Sequence, residues 1–272
     1  MIREGLSDRK AVGMLRFLAC TFGFSWGLWG VCLLAGDTSE PLFTVLFTIA
    51  ACGPSLVAGL LALTGRPGTR QARLAATPRW LPAALLVGLA PAVGAAALAP
   101  LAGSSGLDLG LFAGAAAETG GWLPYVGLAL ITGPLAEEFG WRGYLQPLLR
   151  RRLSAGVTPF VLGPIWGLWH VPLFLLVGTR QHDMGLFTVE GLGFFTIVVL
   201  QSVGMLYVTE RLRGGVPAAV LVHLTFNMSI VLVPLDSLPV ALIYLGLNAL
   251  MALVAGHLTT RSPDKARLRD VS

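Results

Sequence analysis

The sequence predicts an all-α, polytopic integral membrane protein with about eight transmembrane helices. Three observations predict it: an unusually apolar composition, eight apolar stretches near crossing length, and basic residues confined to alternate connections. Apolar residues make up 55% of the chain and charged residues 12%, and the mean hydropathy is +0.75. A soluble domain of 272 residues needs far more polar surface, so lipid is the expected solvent for most of it. A helix needs about 20 mostly apolar residues to cross the hydrocarbon core. The stretches that meet or approach this are Phe17–Ala35, Leu42–Leu63, Trp80–Leu101, Trp122–Leu149, Val157–Val177, Leu192–Val208, Val216–Leu232 and Leu238–Leu258. Alternating barrel-type strands are absent, so helices are expected to satisfy the backbone within lipid.

Charge sets the orientation. Arg3, Arg9, Lys10 and Arg16 precede the first stretch, Arg66, Arg70, Arg73 and Arg79 follow the second, and Arg150, Arg151 and Arg152 follow the fourth. Arg211 and Arg213 follow the sixth, and Arg261, Lys265, Arg267 and Arg269 lie in the tail. The other connections hold Asp37, Glu40, Asp108, Glu118, Asp183, Glu190 and Asp236, with Arg180 as the one basic exception. By the positive-inside rule an even number of crossings puts both termini in the cytoplasm. The pI of 9.6 is therefore read as topology and not as nucleic-acid binding. The basic start followed by an apolar run lacks a small-residue cleavage site and reads as an uncleaved first helix. Cys20, Cys32 and Cys52 fit neither a disulfide framework nor a metal cluster.

The chain reads as one transmembrane domain over residues 1–272, with a charged cytoplasmic tail at 260–272. The connection Gly65–Arg79 suits a loop near anionic headgroups. Leu107–Ala117 is apolar, too short to cross, and able to lie at the interface. No internal repeat is visible, which weighs against a transporter assembled from paired halves.

Ionisable residues inside lipid cost about 2.5–3.5 kcal/mol each at mid-helix, so each needs a reason. They are concentrated in the fourth, fifth and seventh stretches: Glu137, Glu138 and Arg142; Trp166 through His170; His223 and Asn227. Glu138 and Arg142 are four apart with the acid first, the favoured order for an intrahelical ion pair, and read as structural support. Glu137 lies about 100° around the helix, with Gly133 and Trp141 on its face and no opposite charge there. A lone buried carboxylate suits a general base or acid. His223 and Asn227, also four apart, can offer N–H donors to one oxygen, and Trp166 can pack the His170 ring. These are the parts of hydrolysis by activated water.

At these residues the sequence resembles the CPBP family of intramembrane proteases, which includes the eukaryotic CAAX-processing endoprotease and bacterial Abi, bacteriocin-immunity and lysostaphin-resistance-type proteins. The family pattern, EExxxR, then an aromatic with xxxH, then HxxxN or HxxxD, is met by Glu137, Glu138 and Arg142, by Trp166 and His170, and by His223 and Asn227. The similarity covers about 120–258, and Trp166 stands where the family usually has Phe, a departure expected to leave the chemistry unchanged. The resemblance implies an intramembrane endopeptidase in which Glu137 and His170 activate water, His223 and Asn227 stabilise the oxyanion, and Glu138 and Arg142 hold the site. It leaves the metal open: Glu137, His170 and His223 have the composition of a catalytic Zn²⁺ set, while the HExxH helix of ordinary zinc proteases is missing.

The expected partners are the bilayer and a peptide or membrane-protein substrate. Compact size and an Ala/Gly/Arg bias suggest a bacterial plasma membrane, where a peptide, lipoprotein or membrane-protein substrate is favoured over a prenylated one. Two other classes use the same residues: a non-catalytic toxin-immunity or scaffold protein, in which the polar cluster is interhelical glue, and an ion-coupled transporter.

Overall fold

A computed structural model describes residues 2–35, 41–64, 78–235 and 237–261, with side chains from Val12 onward. The side chains of Arg3, Arg9 and Lys10, the charge pattern at Asp37, Glu40, Arg66, Arg70, Arg73 and Asp236, the centre of the Gly65–Arg79 connection, and the tail beyond Arg261 lie outside what is described. Helices are α1 (Ile2–Ala35), α2 (Pro41–Ala51), α3 (Gly53–Leu63), α4 (Trp80–Leu98), α5 (Gly110–Glu118), α6 (Trp122–Leu130) and α7 (Ala136–Gly140). They continue with α8 (Gln146–Arg150), α9 (Thr158–Trp169), α10 (Arg180–Met184), α11 (Val189–Leu206), α12 (Gly215–Ser229) and α13 (Leu238–Thr260). No strand occurs among the described residues. The protein is an integral, multi-pass membrane protein.

Six helical segments are long and apolar enough to cross a membrane unbroken, and one further pair qualifies as a bent span. That pair is α2 and α3, the expected second crossing, which turns by 54° at Cys52. Gly53 and Pro54 open α3, and a proline in the first turn lacks the N–H that would continue the preceding helix. The expected fourth crossing is helical from Trp122 to Arg150 but is absent from the six. Its Glu137, Glu138, Arg142 and Arg150 dilute its apolar character. Two wide π-type segments, Ile131–Leu135 and Trp141–Leu145, interrupt it on either side of α7. Pro134 lies inside the first, where it removes a helical donor, and Ser55 Oγ of α3 donates to the Leu135 carbonyl at 2.8 Å.

The expected fifth crossing stops its α-helix at Trp169, because Pro172 cannot donate into it, and a tight turn over Val171–Leu175 follows. His170 therefore caps the end of α9. The apolar segment near Leu107–Ala117 forms α5, which packs on α6 and on the turn after α12.

Within the bundle, α4 runs along α12 and α13, α11 along α9 and α13, α3 against α7, and α1 against α2 and α3. Apolar helices gain no hydrophobic energy by leaving lipid, so close contact depends on small residues that let backbones approach. A Cβ on Gly163 would sit 2.7 Å from Val199 Cα, and one on Gly204 would sit 2.6 Å from Val87 Cγ1. On Gly140, between the site-bearing α7 and α3, it would collide with the Pro54 backbone, which cannot swing aside. Gly140→Ala should lower stability by about 1–3 kcal/mol. Thermal unfolding in detergent checks this, and an unchanged melting point contradicts the packing described.

Candidate active site

Every sequence-predicted site residue except Asn227 is buried, and the cluster is built where α7, the end of α9 and the middle of α12 meet. Glu138 is fully buried. Its Oε1 accepts from Arg142 Nη1 at 3.0 Å and lies 2.8 Å from His223 Nδ1. An intrahelical ion pair is thereby extended across to α12. Arg142 also donates from Nη2 to Ser202 Oγ of α11 at 3.3 Å, and its guanidinium carbon lies 4.1 Å from the Trp166 ring centroid. A planar guanidinium can bond in its plane and stack on an aromatic face at once, which lysine cannot do.

Glu137 has a different environment. Its Oε2 accepts from Trp166 Nε1 at 2.5 Å and from Trp141 Nε1 at 3.3 Å. No cation pairs with it directly among the described residues, as its helical face suggested. It is not bare, however, because two indoles share one of its oxygens.

Both histidines are anchored through Nδ1. The Trp166 carbonyl lies 2.8 Å from His170 Nδ1. A carbonyl can only accept, so Nδ1 carries the proton and Nε2 is left with its lone pair. The His170 ring packs edge-on against Trp169 and Phe194, at centroid distances of 4.9 and 5.2 Å. His223, held by Glu138 through Nδ1, likewise turns Nε2 outward, with its ring 5.4 Å from that of Trp166. Gly133, one turn before Glu137, fixes the relation between α12 and this helix. A Cβ there would lie 3.2 Å from Asn227 Nδ2 and 3.6 Å from His223 Nε2. The two nitrogens thus face one small space beside the carboxylate-bearing helix. Asn227 is exposed and marks its open side.

The back wall is aromatic. Trp141 and Trp169 meet edge to face at 5.8 Å, Trp29 lies 4.8 Å from Trp169, and Phe17 lies 5.8 Å from Trp141. Trp29 is fully buried there. Helix α1 thus backs the site, although it carries no ionisable residue in its centre.

Anchoring of Nδ1 with Nε2 exposed also suits metal-ligating histidines. Yet among the described residues no three His, Cys, Asp or Glu side chains lie close enough together to hold a metal. Two indole N–H groups also occupy Oε2 of Glu137. Glu137, His170 and His223, as arranged, do not fit a Zn²⁺ centre.

Two features escaped the sequence reading. Trp166 does more than stand in for Phe: its indole N–H, which Phe lacks, reaches Glu137. Ser202 enters from the sixth stretch, which has no ionisable residue near its centre and so gave no signal.

Residues 119–229 match the family model of type II CAAX prenyl endopeptidases, Rce1-like, a segment that contains Glu137, Glu138, Arg142, Trp166, His170, His223 and Asn227. The chain is also similar to CAAX prenyl protease 2 of Methanococcus maripaludis, at 26% identity over 119 residues. That alignment covers 43% of this chain and 44% of the relative, so the chain spans less than half the length of the curated protein it matches. Over residues 119–229 this chain is thus similar to the Rce1-like family of type II CAAX prenyl endopeptidases.

Proposed function

We propose that this chain is an intramembrane endopeptidase that hydrolyses a peptide bond with water activated by Glu137 and His170. The observation that carries the reading is the meeting, around Trp166, of one carboxylate lacking a direct cation partner, Glu137, with two Nδ1-anchored histidines. Glu137 takes a proton from water as the water oxygen attacks the scissile carbonyl carbon. The Nε2 lone pair of His170 accepts the second O–H and orients the nucleophile. When the C–N bond breaks, the proton held by Glu137 passes to the departing amine nitrogen.

The carbonyl oxygen gains negative charge during attack, and His223 Nε2 and Asn227 Nδ2 supply the donors for it. Gly133 leaves room for the oxyanion. Gly133→Ala should cut turnover roughly tenfold or more, since misplacement by even 1 Å at a reacting centre is costly. A variant that melts like wild type and cleaves at the wild-type rate would show that this space is not used.

The resemblance to CAAX prenyl proteases makes a prenylated C-terminal peptide the first substrate to test. Purified protein in liposomes is incubated with a farnesylated CAAX peptide and with the same peptide lacking the lipid, and products are read by mass spectrometry. Cleavage of the farnesylated peptide alone assigns a prenyl substrate. Cleavage of both assigns a general peptide substrate. Cleavage of neither, nor of any membrane protein in native vesicles, removes the protease reading.

A further inference from the structure

The two indoles on Glu137 are not required by the hydrolysis just described, which needs only a carboxylate, and one of them stands where a ring without a donor is usual. We propose that Trp141 and Trp166 are positioning residues that commit Glu137 Oε2 to two N–H donors and leave Oε1 as the oxygen that takes the proton from water. The inference rests on the endopeptidase reading for its kinetic consequence, but not for its geometry.

A carboxylate on a helix can spin about its last bond, presenting either oxygen. Here rotation is opposed by donors from two directions. Trp141 lies one turn further along the same helical run, at 3.3 Å, and Trp166 comes from α9 at 2.5 Å. Both indoles are themselves fixed. Trp141 is fully buried between Phe17 and Trp169. Trp166 is 4% exposed, under the Arg142 guanidinium and edge-on to both histidines. Trp166 also binds His170 Nδ1 through its carbonyl. One residue therefore sets the orientation of the base by its side chain and that of the partner imidazole by its backbone. Indole suits this role because it is a donor only and cannot compete for the proton that Glu137 removes.

Trp141→Phe and Trp166→Phe delete the N–H while keeping an aromatic ring, so packing changes little. With the farnesylated CAAX peptide in liposomes, each should lower kcat roughly tenfold, the value of one hydrogen bond to a charged group, and leave KM within about twofold. Equal loss in kcat and rise in KM would indicate a merely structural role and overturn the proposal. A second measurement needs no substrate. In protein carrying ¹⁵N-tryptophan, the indole N–H signals of the two residues are identified by their disappearance in the Phe variants. Both should move upfield when Glu137→Ala removes the acceptor. Signals that stay in place overturn the proposal. A wild-type kcat in Trp166→Phe beside an inactive Glu137→Gln would also sink it while sparing the protease reading. Undiminished cleavage by Glu137→Gln sinks the protease mechanism instead, and the spectra still decide the hydrogen bonds.

Discussion

Glu137→Gln should yield a protein that inserts and folds normally but cleaves peptide roughly 10²–10⁴-fold more slowly, the usual loss on removing a general base. The amide keeps the volume of the carboxylate and can still accept from Trp166 and Trp141, so packing around Oε2 is retained. What it loses is the capacity to take a proton from water. Glu138→Gln makes the sharpest contrast. It removes an equally buried acid on the neighbouring position, but one engaged by Arg142 and His223. Its loss should therefore appear both in stability and in activity, whereas that of Glu137 appears in activity alone. Single-turnover cleavage and thermal unfolding, measured on both variants in the same detergent, separate the two. Full proteolysis by purified Glu137→Gln would refute the assignment of the base.

Much of this arrangement was readable from residue order, and the parts that were not share a physical cause. Lipid exposure writes itself into long apolar runs, so the crossing segments stand out. Their interruptions are set by single prolines: Pro54 after the Cys52 bend, Pro134 within a wide turn and Pro172 just beyond His170. Those signals are local but say only that something breaks, not by how much the axis turns. The Glu138–Arg142 pair was legible because four-residue spacing places both on one face. The attachment of His223 to the same carboxylate joins residues 85 apart. No periodicity in either helix encodes it. Trp141 illustrates the boundary between the two cases. Its place on the Glu137 face follows from spacing, but whether the ring face or the N–H meets the carboxylate depends on Phe17 and Trp169, which come from other helices.

Arg142→Met should be the most destabilising single substitution in the site, costing about 3–5 kcal/mol, because it leaves a charge buried without its partner. Methionine keeps an apolar stem as far as the position of Nε, so the substitution removes the guanidinium while retaining the packing of the stem. Glu138 would retain only His223 at 2.8 Å, on the same oxygen, and its Oε2 has no hydrogen-bond partner to compensate. Ser202 would lose its guanidinium donor, and Trp166 would lose the cation over its ring at 4.1 Å. The consequence reaches the chemistry through Trp166, whose indole holds Glu137. A second substitution distinguishes loss of the pair from loss of one charge. In Glu138→Gln/Arg142→Met the buried acid is gone as well, and a large part of the stability should return, since neutral groups of similar shape can replace a buried ion pair at little cost. Activity should not return with it, because His223 then lacks the carboxylate that fixes its Nδ1. Recovered folding with activity still absent is the expected pattern in unfolding and cleavage assays on the double variant. Recovery of both would mean that Glu138 and Arg142 only pack the bundle and that His223 is oriented by something else.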